Sequence, residues 1–174
     1  MKQQCGMTDV LYNSIKNTPG KKIWLEEKPI FKNPGVTVDI VAFTLLRAYV
    51  VLIKRKNDPF KGMWAFPGGF IEYGKETIEQ AATREFEEET NMSWGKYKYE
   101  PVLHSVYSDP KRDPRGHTIS CVFVVMSVQP EMIANMKAKD DACAIKLFSH
   151  EKPPYNKMAF DHAKILKKII KEYF

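Results

Sequence analysis

From Thr37 onward, apolar positions organise the chain into distinct segments. TVDIVAFTLL and YVVLIKR are dense in β-branched and apolar residues and are parted by a polar step at Arg47. This pattern predicts two strands, joined as a hairpin. Residues 56–75 carry the breakers NDP, KG, PGG and YG and read as loop. Apolar spacing then changes to a helical period. Ile78, Ala81, Ala82, Phe86 and Met92 form one stripe on a helix running from about Lys75 or Glu76 to Asn91, with Thr77 as its N-cap. PVLHSVYS (101–108) and TISCVFVVMSV (118–128) predict two further strands around the polar loop DPKRDPRGH, and a short strand comes next near Ala144–Phe148. The end, MAFDHAKILKKIIKEYF, predicts an amphipathic helix with Ala163, Leu166, Ile169 or Ile170, and Tyr173 facing inward.

Strands on both sides of a helix, closed by a terminal helix, predict an α/β class with mixed strand pairing. Residues 1–36 are polar and broken by Pro-Gly pairs. A short helix near Val10–Ile15 and a strand near Ile23–Leu25 are the expectations there.

Composition narrows the functional classes. The chain has 174 residues, 44% of them apolar and 28% charged, which suits one domain with its own core. No apolar run is long enough to cross a bilayer, and the first residues lack the apolar centre of a signal peptide. These features predict no membrane partner and a cytoplasmic location. The three cysteines are widely separated and form no CxxC pair, which predicts reduced thiols. The net charge of +6 favours anionic ligands. It is spread along the chain, and no nucleic-acid-binding module accompanies it, so no specific nucleic-acid partner is predicted.

The chemistry concentrates in REFEEET, residues 84–90. On a helix, Glu85, Glu88 and Glu89 share one face, their Cβ atoms about 5–6 Å apart, and they repel one another. A hard divalent cation such as Mg²⁺ takes oxygen ligands and turns such a cluster favourable. Arg84 can orient a neighbouring carboxylate through its forked guanidinium. A solvated helix face is the plainer alternative for a glutamate run alone.

The surrounding sequence decides between them. Read from Gly68, GGFIEYGKETIEQAATREFEEETNM resembles the Nudix box, G-x5-E-x7-R-E-U-x-E-E-x-G-U, where U is apolar. Glu76, seven residues, and Arg84 to Glu89 match in register. The loop between Gly69 and Glu76 is one residue longer, and Asn91 stands at the late glycine, where it tolerates the same left-handed cap. Similarity extends over roughly residues 36–174 as a Nudix domain. Residues 1–35 stay outside it as an N-terminal extension, a candidate strand or homodimer contact. The resemblance implies a Nudix-type α/β/α sandwich with a mixed β-sheet.

It also implies a chemistry: metal-dependent hydrolysis of a nucleoside diphosphate linked to another moiety. Glu85, Glu88, Glu89 and the Gly69 carbonyl would hold Mg²⁺ or Mn²⁺, with Glu76 and Arg84 completing the catalytic set. The general base stays open among the helix glutamates and Asp140 or Asp141. The stretches after the box, including Pro110 and KDDACAIKLFSHEKPPYNKMAFDHAKIL, resemble the ADP-ribose pyrophosphatase branch. That branch implies ADP-ribose, cleaved to AMP and ribose 5-phosphate. Other Nudix substrates (NADH, a dinucleoside polyphosphate, an oxidised nucleoside triphosphate) or a non-catalytic ADP-ribose sensor are the alternatives. Arg112 and Arg115 in the DPKRDPRGH loop, and Arg55 at a strand end, are candidate substrate-binding residues. His162 with Asp161 reads as a helix-capping pair before a catalytic one. His117 is a candidate substrate contact, and Trp64 and Phe66 are either core or an adenine stack.

Overall fold

The computed structural model describes residues 33–44, 47–93, 101–139 and 141–174. The expected helix near Val10 and strand near Ile23, like Asp140, lie outside these residues. The described fold is the unit Pro34–Phe174.

Its centre is a mixed sheet. Strand β1 (Gly35–Thr44) runs parallel to β6 (Thr118–Val128) over most of its length, with Val38 opposite Cys121 and Val41 opposite Val124. Antiparallel neighbours extend the sheet on both sides. β2 (Tyr49–Arg55) pairs with β1, β3 (Trp64–Ala65) with β2, and β5 (Val102–Tyr107) with β6. β7 (Ala142–Ser149) lies against β2, and β4 (Gly68–Phe70) against the first half of β1, with Asp39 opposite Gly68. The predicted hairpin and later strands are therefore present. β3 and β4 occupy the segment that reads as loop. At two and three residues they are too short to leave a period.

Both faces of β1 are covered, which is why its sequence is a continuous apolar run rather than an alternation. Val38, Ile40 and Ala42 point into one core with Val51, Phe123 and Val125. Val41 and Phe43 point into the other, with Leu52, Val122 and Val124. Helix α1 (Ile78–Thr90) closes the first core with Ala81, Ala82 and Phe86. Its ends are built as the sequence predicts. Thr77 and Gln80 form a reciprocal capping box, and Asn91 ends the helix in the left-handed conformation at φ 58°. A short helix α2 (Pro130–Ala134), absent from the sequence-based expectation, comes after β6 and lends Met132 to the same core.

Helix α3 (His162–Tyr173) closes the second core with Ile165, Leu166 and Ile169. Leu166 and Ile169 are buried as expected, Ala163 and Ile170 pack against the same core, and two further positions and one correction complete the stripe. His162 and Ile165 are buried, whereas Tyr173 is exposed. The helix starts at His162, later than Met158 where the predicted segment begins, after a 3₁₀ turn at Tyr155–Lys157. The result is an α/β sandwich with helices on both faces of a mixed sheet.

Candidate active site

β4 and the end of α1 meet beside β1, and this junction sets the positions of Glu85 and Glu89. Gly68 has φ 153°, and a side chain there would run into the Val38 carbonyl. Its amide N–H donates to Glu89 Oε2 at 2.9 Å. Glu89 is only 4% exposed, and burial pushes its carboxyl up to about 8, against the pull of the Gly68 amide. Burial likewise raises Glu85, although Arg84 draws it down. The two carboxylates disfavour each other's charge. A Cβ on Gly69 would collide with the Glu85 carboxylate, so a side chain there forces Glu85 to shift.

Arg84 does more than hold one neighbour. Nε and Nη2 fork onto Glu76 at 2.9 and 2.7 Å, Nη1 reaches Glu85 at 2.8 Å and Glu88 at 2.9 Å, and Nη2 also meets the Phe70 carbonyl at 3.2 Å. The Arg84 fork holds the Glu76 carboxyl down at about 2, and Arg84 itself is held above its usual value. Glu76 also accepts from the Glu72 amide at 2.7 Å, which ties the glycine-rich loop to the helix.

The box residues thus divide. Glu85 and Glu89 line a cleft of about 160 Å³ together with Gly68 and Gly69. Glu88 sits on the outer side of Arg84 with its side chain 47% exposed, and Glu76 lies behind the arginine. Among the described residues, no three Asp, Glu, His or Cys side chains converge on one ion position. Mg²⁺ commonly takes one or two carboxylates and completes its shell with water and substrate phosphates. A buried and a partly buried carboxylate that repel each other, beside a side-chain-free glycine, fit such a cation.

All three predicted arginines line the same cleft. The Arg55 guanidinium donates to the Pro59 carbonyl at 2.8 Å and lies 5.0 Å from the Phe160 ring. Arg115 forks onto Asp113 and sits 5.0 Å from the Phe70 ring and 5.6 Å from that of Phe160. Arg112 is 4% exposed, and its fork is taken up by Asp161 at 2.8 and 3.1 Å. It shapes the cleft wall and offers no free fork.

Asp161 is accordingly not a side-chain cap, and the predicted Asp161–His162 capping pair is corrected. Asp161 occupies the N-cap position of α3 without a side-chain cap bond, because Arg112 binds its carboxylate. His162 is buried and faces the cleft. Phe66 is core, stacked on His162 at 4.6 Å, and Trp64 packs edge-on against Phe148. His117 meets the Ser108 carbonyl at 3.3 Å and does not line the cleft. Asp141, one of the candidate bases, does line it and accepts from Asn57 at 2.9 Å. Asp39, Asp113 and Phe160 also line it. No local pattern marks these three in the sequence, since long-range contacts alone bring them there.

Known proteins resemble this chain in sequence and fold. The NUDIX domain model matches residues 34–169. An ADP-ribose pyrophosphatase of Methanocaldococcus jannaschii is 45% identical over 147 residues, 84% of this chain and 79% of that protein. The bifunctional NMN adenylyltransferase/ADP ribose pyrophosphatase of Francisella tularensis, solved with AMP and a manganese ion, superposes with a TM-score of 0.71 at 30% identity. The match covers 95% of this chain and 46% of that one, so the chain spans about half the length of the bifunctional protein. The NUDIX domain of Shewanella oneidensis NrtR, solved with ADP ribose, superposes at 0.68 with 26% identity, over 86% of this chain and 95% of that one.

Fold and cleft together define a hydrolase that cleaves diphosphate linkages, a class that works with divalent metal ions. The chain belongs to the Nudix family.

Proposed function

We propose that this chain hydrolyses ADP-ribose to AMP and ribose 5-phosphate in the cytoplasm, using Mg²⁺ or Mn²⁺. The observation that carries this substrate is the 45% identity, over most of both chains, to the Methanocaldococcus jannaschii ADP-ribose pyrophosphatase. The cleft supports the chemistry. Glu85, Glu89 and the Gly69 carbonyl would hold the cation, and Glu88, which shares Arg84 with Glu85, completes the acidic edge. The bound cation supplies charge neutralisation on the diphosphate oxygens and orients the attacking water.

The remaining steps belong to side chains. Arg55 and Arg115, which line the cleft, meet the diphosphate, and Arg112 keeps the 108–117 loop in place through Asp161. Arg84 and Glu76 fix the geometry of Glu85. Glu89 and Asp141, which both line the cleft, are the carboxylates placed to act as general base.

The test is a panel of ADP-ribose, NADH, a diadenosine polyphosphate and 8-oxo-dGTP, with products identified. The expected result is AMP and ribose 5-phosphate in equal amounts from ADP-ribose, dependent on added cation. Turnover of another panel member with ADP-ribose untouched overturns the substrate. The likeness to the NrtR domain, solved with ADP ribose, favours a sensing role as the second reading. Tight ADP-ribose binding with no AMP released in saturating Mg²⁺ would establish it.

A further inference from the structure

At the base of the cleft lie two buried polar residues, Asp39 on β1 and His162 on α3, that none of the proposed catalytic steps uses. Asp39, in the middle of β1, is 7% exposed and accepts a hydrogen bond from the Ser120 hydroxyl. Arg112 approaches it at 3.6 Å, and His162 Nε2 at 3.3 Å. His162 is itself 3% exposed. The Phe66 amide N–H donates to its Nδ1 at 3.1 Å, and its ring stacks on the Phe66 ring at an interplanar angle of 13°. Each ring nitrogen therefore has one defined partner. Nδ1 accepts, so the proton of the neutral ring sits on Nε2, directed at Asp39. Burial favours that neutral form.

The bond to Phe66 matters because the next three residues lead into the acidic edge. The Pro67 carbonyl accepts from the Ile40 amide at 2.8 Å, Gly68 donates to Glu89, and Gly69 lies against Glu85. The glycine pair is thus held on one side by β1 and at its N-terminal end by His162. We propose that His162 is a positioning residue: through Nδ1 it pins the Phe66 amide and so sets where Gly68 and Gly69 stand relative to Glu89 and Glu85. The Asp39 contact selects the tautomer that makes this possible, in the way that outer partners orient the ligands of metal sites. The inference rests on the assignment of Glu85, Glu89 and Gly69 to the cation site.

Two substitutions separate this role from packing. In His162→Asn the side-chain oxygen takes the place of Nδ1 and can still accept from Phe66, while the reach to Asp39 is lost. In His162→Gln the amide reaches toward Asp39 and the acceptor for Phe66 is lost. Both remove the stacked ring. Mn²⁺ binding is measured by calorimetry without substrate, on protein whose near-ultraviolet circular dichroism matches the parent.

The expected result is near-parental Mn²⁺ affinity for His162→Asn and affinity weaker by about tenfold or more for His162→Gln. Activity is expected to show the same order, with the fall for His162→Gln carried by kcat more than KM. Equal affinities for the two variants, whether both intact or both lost, overturn the proposal. An independent readout uses the unsubstituted protein. Nitrogen-15 spectra should show His162 with a proton on Nε2 and none on Nδ1, and a protonated Nδ1 overturns it. If ADP-ribose is not a substrate, the proposed function falls, but Mn²⁺ affinity and tautomer still decide the role of His162.

Discussion

At the scale of single residues, Glu89 stores the clearest electrostatic tension. Its carboxyl lies at about 8 in the folded chain against an ordinary value of 4.5. Between those values the folded protein keeps a proton that the unfolded chain releases. The Glu89 contribution is therefore fully present below about pH 4.5 and is lost as pH rises toward 8. In chelator, thermal stability relative to Glu89→Gln should fall across that window, and added Mn²⁺ should recover more stability at about pH 8 than at about pH 5. A difference that is flat with pH would contradict the burial assigned to Glu89. Glu76 behaves oppositely, since Arg84 holds it at about 2. Its contribution is present above about pH 4.5 and is lost as pH falls toward 2. Gly69 gives a purely steric prediction. Gly69→Ala forces the Glu85 carboxylate aside, and kcat/KM should drop by about a hundredfold while the melting transition stays cooperative.

At the scale of elements, α1 joins the acidic edge to the core, and its two ends can be tested separately. Thr77→Ala removes half of the capping box and should cost about 1 kcal/mol in denaturant unfolding. Asn91 is left-handed, so Asn91→Ala should cost about 1 kcal/mol while Asn91→Gly is tolerated. Phe86, fully buried on the same helix, is the larger lever: Phe86→Ala should lose about 3–5 kcal/mol and take activity with it. Most of this helix is legible in the sequence. Cap, apolar stripe and carboxylates of α1 all fall within 16 contiguous residues, 77–92, so the local code is complete. β3 and β4 are not legible, because their reason to be extended is a partner strand and not their own residues. The start of α3 is hidden too, because Asp161 gives its carboxylate to Arg112 and leaves no side-chain cap.

At the scale of the whole molecule, the cleft draws on parts of the chain that share no local pattern. The glutamates and the glycine pair are legible because they lie in one motif. The three arginines are legible by residue type and loop context, and they do meet around the cleft. Two of the cleft's long-range pairings are not. Arg112 finds Asp161 from 49 positions away, and Asp39 finds Ser120 from 81. No spacing rule announces such pairs, since the parallel pairing of β1 with β6 and the packing of α3 create them. That parallel pairing also orders events in time. The central strand gains its hydrogen-bonded neighbour on the β6 side only after roughly two thirds of the sequence has been made, with hairpin β1–β2 its earlier support. Such distant closure slows self-assembly. A nascent chain halted before residue 118 would carry one apolar edge uncovered, an invitation to chaperones or to aggregation.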